Sequence, residues 1–200
     1  ARLRKINPNI DVIPVNERLR GAALARAIDS VDVDIVGADG WELTVIDASD
    51  PAAATTQSRV RIQPGWNLHH IDIHGDLALV GGLQQWSVPA TTTHLTLLDV
   101  SDSSTEPQLV GTLTVDGVVD TLAMANRTAV AATYWGSIRF IDVSDPSAPF
   151  VAREFDALDL IISGRVHDLA TFEDLLAISD SEGRVTLVDI SVPEDPEYVT

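Results

Sequence analysis

The stretch "HHIDIHGD", from His69 to Asp76, gathers three of the chain's five histidines and is its single cluster with metal-ligand chemistry. On a β-strand alternate residues share a face, so His70, Asp72 and His74 point the same way. Two imidazoles and a carboxylate suit zinc or iron. Three successive ligands on one flat strand nevertheless subtend a poor tetrahedral angle. The same places in two other repeat units hold Thr121, Ala123, Ala125 and Asp168, Ala170, Phe172, so the repeat does not require them. The three residues are therefore read as hydrogen-bonded strand positions, and no metal ligand is assigned. Trp66, Trp86, Trp135 and Tyr134 could form an aromatic binding rim, although packing between repeat units is the simpler role. No Ser-His-Asp order acquires a geometry from the sequence, and paired carboxylates carry little information in so acidic a chain. No catalytic or cofactor-binding residue is assigned.

Composition narrows the classes further. Two hundred residues, 45% of them apolar, suffice for one sizeable core or two small ones. No run approaches the ~20 apolar residues of a membrane-spanning helix, and no basic-then-apolar leader opens the text. The first residue is Ala1 rather than Met, as expected for a processed chain or a fragment. A net charge of −17 repels phosphate, so nucleic acid and anionic membrane are poor partners. With no cysteine there is no disulfide frame, Cys-based zinc site or thiol nucleophile.

The elements that must position these residues change character near residue 33. Residues 1–32 read as α/β: a helix end stopped at Asn7-Pro8, an edge-type strand through "IDVIPVN", and a helix over "RGAALARAIDSV". Residues 33–200 read as all-β, with short Val/Ile/Leu/Thr runs separated by Gly, Asp, Ser and Pro turns. A six-residue phrase recurs along this all-β stretch: "IDASDP", "LDVSDS", "IDVSDP" and "VDISVP" place Asp47, Asp99, Asp142 and Asp189 at spacings of 52, 43 and 47 residues. The longest spacing contains about eight extra residues at "QQWSVPAT", the kind of insertion on which function is grafted. A period of ~40–50 residues in all-β text marks propeller blades, each a four-stranded antiparallel sheet. The repeated six residues end the third strand of a blade and begin its turn to the fourth. The aspartates are read as turn residues, because presence in every unit argues for architecture. The expected fold is mostly β: a partial β-propeller of about three complete blades plus pieces, after a short α/β segment.

"ELTVIDASDP", "HLTLLDVSDS", "SIRFIDVSDP" and "RVTLVDISVP" resemble the core of the LVIVD-repeat β-propellers. The fourth copy departs, with Val192-Pro193 in place of Asp-Pro. The resemblance implies a repeat module without a catalytic motif, for protein or ligand interaction, in a secreted or surface-anchored protein. It also implies that remaining blades of the same propeller are partners of this segment.

The N-terminal text "KINPNIDVIPVNERLRGAALARAIDSVDVDIVGADG" resembles a segment of the MoeB/ThiF-type adenylyltransferases. That resemblance implies ATP-dependent activation of a carboxylate, with Asp39 at a metal-associated position. The chemistry needs a Gly-rich phosphate loop and a basic cluster that neutralises the triphosphate, and this stretch has neither. Asp39 is more simply a turn residue in Ala38-Asp39-Gly40. Three functions are thus distinguished: an interaction module, an adenylyltransferase fragment or fusion, and a metal-binding propeller. The first is preferred.

Overall fold

A computed structural model describes residues 35–39, 42–47, 53, 55–62, 66–84, 92–102, 105–133, 136–156, 162 and 165–199. The readings for residues 1–32, including the adenylyltransferase-like helices and strand, fall outside these residues. So do Trp86, Tyr134 and Trp135.

Among the described residues, fifteen strands form four antiparallel sheets. The first has three strands, β1 (Ile35–Asp39), β2 (Glu42–Asp47) and β3 (Thr55–Arg61). The second comprises β4 (Trp66–His74), β5 (Leu77–Gln84), β6 (Thr92–Asp99) and β7 (Gln108–Asp116). The third comprises β8 (Val119–Ala125), β9 (Thr128–Thr133), β10 (Ser137–Asp142) and β11 (Phe150–Asp156). The fourth comprises β12 (Val166–Phe172), β13 (Leu175–Asp180), β14 (Val185–Asp189) and the two-residue β15 (Glu197–Tyr198). Each sheet is a simple meander, the blade pattern anticipated from the period. Among the described residues no helix is present.

Register makes the blades superimposable residue for residue. In the second, third and fourth blades the innermost strand skips one residue at the same place, between Leu68 and His70, Val119 and Thr121, and Val166 and Asp168. The outermost strand skips one in the first three blades, opposite Val45/Ile46, Leu97/Leu98 and Phe140/Ile141. Such bulges strengthen twist and bend the strand, which lets neighbouring blades pack face to face. The first hairpin of three blades is a two-residue loop whose first residue has positive φ: Gly75 (57°), Asn126 (48°) and Glu173 (53°). Glycine and asparagine accept that conformation readily, whereas glutamate is strained there.

Apolar side chains fill the spaces between blades rather than the blades themselves. Leu43 meets Leu68, Ala78, Val80 and Leu98 between the first two blades. Leu95 and Leu97 meet Leu122, Ala129, Ala131 and Ile141 between the second and third. Ile138 and Phe140 meet Leu176, Ile178 and Val188 between the third and fourth. Each strand buries one alternate set against the preceding blade and the other against the following one, which explains why β8, β9 and β10 are buried almost throughout. Phe140 also meets Phe155 edge to face, centroids 5.8 Å apart.

One close approach fixes the second blade against the third. A Cβ on Gly111 would lie 2.0 Å from the Pro146 carbonyl oxygen. The Asp145-Pro146 turn after the repeated motif therefore seats directly on the backbone of β7, and only a residue without a side chain fits.

Candidate functional site

Three innermost strands, β4, β8 and β12, stand side by side and line an open polar groove of about 450 Å³. The bulges set which residues face it: His70, Thr121 and Asp168 occupy one level in the register, each directly after the skipped residue. The groove thus gathers His70, Asp72 and His74 from β4, Thr121 from β8, and Asp168 and Thr171 from β12. All three β4 residues lie along the groove, as do Ile71 and Ile73 between them.

Their partners are amides and side chains of neighbouring blades. Asp72 accepts the Ile73 amide at 3.0 Å through Oδ1 and the Met124 amide of the next blade at 2.6 Å through Oδ2. The Met124 carbonyl accepts the Thr171 hydroxyl from the blade beyond, at 2.9 Å. One backbone position in the middle strand is therefore held from both sides. His74 Nε2 donates to Asn126 Oδ1 at 3.2 Å, and Asn126 Nδ2 donates to Asp174 at 2.7 Å. Asp168 accepts its neighbour's amide, Leu169, at 3.0 Å and lies 3.4 Å from the Thr121 hydroxyl. Arg165 pairs with Asp120 between the same two blades.

An innermost strand has one edge without a sheet neighbour, and such an edge needs covering. Asp72 and Thr171 supply such cover as side chains that reach across blades to the Met124 amide and carbonyl. Asp72 thus has both carboxylate oxygens committed to amides. Among the described residues no three His, Asp or Glu side chains are arranged as metal ligands.

The repeated aspartates have their own geometry. Asp99, Asp142 and Asp189 each accept, through Oδ1, the amide of the residue two places on: Ser101, Ser144 and Ser191, at 2.7–2.9 Å. The residue between donates its amide to the first-hairpin carbonyl of the same blade: Val100 to Asp76, Val143 to Arg127 and Ile190 to Asp174, each at 2.8 Å. The recurring phrase is therefore an Asx turn locked to the neighbouring hairpin, as expected of turn residues. Hydrogen bonds from Ser101 hold the Asp99 carboxyl below its ordinary range, and those from Ser191 do the same for Asp189. Burial pushes Asp142 up, but bonds from Ser144 and the Arg127 guanidinium, 2.7 Å away, outweigh it and bring the carboxyl down. The side chain of Asp47 lies outside the described residues.

Sequence reasoning missed the inter-blade role of Asp72 and the fit of Gly111. Each occurs once, so periodicity is blind to both. The insertion in the second unit falls between β5 and β6, as expected, and Trp66 opens β4.

Residues 36–61 and 130–157 match the family described as LVIVD repeat. No curated protein matches the chain in sequence. Among solved structures, BamB from Moraxella catarrhalis is similar at a TM-score of 0.55 and 11% identity, over 81% of this chain and 43% of that one. This chain thus spans less than half of the related structure's length. Because 293 solved chains match, the likeness identifies the architecture and leaves the function to be argued from the surface.

Proposed function

From a chain that carries LVIVD repeats on the blades of a β-propeller, we propose that its task is recognition. It is a non-enzymatic repeat module that binds a protein or small-molecule partner, within a larger secreted or cell-surface protein. The observation that carries this reading is the employment of the carboxylates. Those repeated from blade to blade close their own turns, and Asp72 in the groove covers a neighbour's backbone. Chemistry-bearing side chains so committed build a rigid frame, and rigid frames with variable surfaces serve binding. The charge of −17 favours neutral or cationic partners and disfavours nucleic acid.

The test is cross-linking of the tagged chain on intact cells, followed by titration of the purified partner against the purified chain. Saturable binding that survives His70→Ala, with no labelling from the cytoplasmic side, supports the reading. Turnover of a chromogenic ester, phosphate or glycoside that disappears in His70→Ala would replace it with an enzymatic one.

A further inference from the structure

The first hairpins and the turns of the repeated phrase lie at the same end of the second, third and fourth blades. Three hydrogen bonds tie them in pairs: Val100 to Asp76, Val143 to Arg127 and Ile190 to Asp174. Blades pack through the faces of their sheets, whereas this end is made of turns, so an adjoining blade lengthens it without covering it. The second and third blades each pack against a blade on either side. Their described large apolar residues that stay exposed are Ile73, Leu109, Phe150 and Val151, each within two residues of a turn at this end. Ile73 borders the groove. The other three open the outermost strands β7 and β11 beside the phrase turns, and are 63%, 51% and 37% exposed. In the fourth copy of the phrase Val192 stands where Asp102 and Asp145 stand, in a turn closed by the same kind of bond, and it too is exposed. The same end is acidic. Asp76, Asp102, Glu106, Asp145, Glu173 and Glu194 are exposed on it. Among the described residues its turns hold one arginine and no lysine, and that residue, Arg127, is paired with Asp142. At the opposite end arginines answer carboxylates: Arg59 and Arg61 pair with Glu42, and Arg165 with Asp120.

We propose that this turn end is the docking surface for a basic protein segment, one that carries lysine or arginine beside exposed leucine, isoleucine or phenylalanine. The proposal rests on the recognition reading above, and it names the face used and the chemistry of the partner. The two observations have separate tasks. Leu109, Phe150, Val151 and Val192 supply apolar area for a partner to desolvate, the kind of contact from which most binding energy comes. The carboxylates around them select the sign of the partner's charge and speed its approach. The same carboxylates repel phosphate, so nucleic acid and an anionic membrane do not fit this face.

Mapping of amide shifts by NMR on the full chain tests the proposal. The probes are synthetic peptides of alternating lysine and leucine, lysine and serine, and glutamate and leucine. The expected result is saturable binding of the lysine–leucine peptide, with shifted amides confined to the turn end around Leu109, Phe150 and Val192. The lysine–serine peptide should bind about tenfold more weakly for want of apolar contacts, and the glutamate–leucine peptide not at all. Leu109→Ser combined with Phe150→Ser, with amide shifts elsewhere unchanged, should weaken the lysine–leucine peptide about tenfold. Val192→Asp, which restores the residue type of the other copies, should weaken it in the same direction, and so should added salt. Equal binding of the two lysine peptides, or shifts spread over the whole surface, would reduce the effect to net charge and overturns the proposal. Absence of binding at ~1 mM peptide overturns it too. Shifts confined to the groove and lost in His70→Ala overturn this face while leaving the recognition reading standing. Failure of that reading shows elsewhere, as turnover of a chromogenic substrate that His70→Ala abolishes.

Discussion

The third and fourth blades follow one plan but differ in their surroundings and in the outermost strand, seven residues in β11 and two in β15. Their strands share register, hairpin lengths, bulge position and Asx turn. The third is covered on both faces, and β8–β10 are buried nearly residue by residue. The fourth is covered on one face, and β13 alternates between buried and half-buried positions. Sheet formation thus follows from strand pattern and turn chemistry, while burial follows from neighbours. Where both operate, aliphatic positions become core; where only the first does, the same positions become surface.

The two blades should differ most at their matching core positions. Phe140→Ala should cost ~3–5 kcal/mol in urea denaturation, because a fully buried ring is removed. Leu187→Ala, its register equivalent, should cost ~1 kcal/mol or less, because the side chain is only half-buried. Equal losses would show that cover by a neighbouring blade does not decide what these positions contribute.

A second contrast concerns the outer strands. Gly111→Ala should cost ~2–3 kcal/mol, since the new methyl meets a backbone carbonyl that has no rotamer to yield. Ser58 occupies the equivalent position in the first blade, opposite Val45 as Gly111 stands opposite Leu97. Its buried hydroxyl has no hydrogen-bond partner, so Ser58→Ala should be neutral or stabilising by up to ~1 kcal/mol.

The turn aspartates sharpen the comparison in pH. Asp142 is buried and ion-paired, so Asp142→Asn should cost ~1–3 kcal/mol at neutral pH. Its carboxyl is held below the ordinary range in the folded state. Its stabilisation is therefore fully present above the unfolded carboxylate pKa and is lost as pH falls through the lower folded value. Denaturation midpoints of Asp142→Asn should accordingly converge with those of the parent in acid. Asp189→Asn, at an exposed turn, should show the same direction with a smaller loss. The smallest effect belongs to Glu173→Asn, which places at φ 53° the residue type found at Asn126 and should stabilise by ~0.5–1 kcal/mol.

Much of this was legible because it repeats. Asp99, Asp142 and Asp189 announced their turns through a six-residue phrase that recurs every 43–47 residues. The face shared by His70, Asp72 and His74 followed from strand alternation alone. What stayed hidden was contact between blades. Nothing local says that Asp72 reaches the Met124 amide 52 residues away, or that Pro146 rests on Gly111. Such contacts depend on how sheets stack, and each occurs once, so neither period nor propensity records them. The alternating Val185 and Leu187 likewise read as core in sequence, since pattern cannot tell a covered face from an open one.

The central claim, that the fourth blade repeats the plan of the third and differs in how far its strands are covered, is tested most directly by amide hydrogen exchange. β13 and β14 should exchange markedly faster than β9 and β10. Equal protection of the two pairs of strands would contradict it.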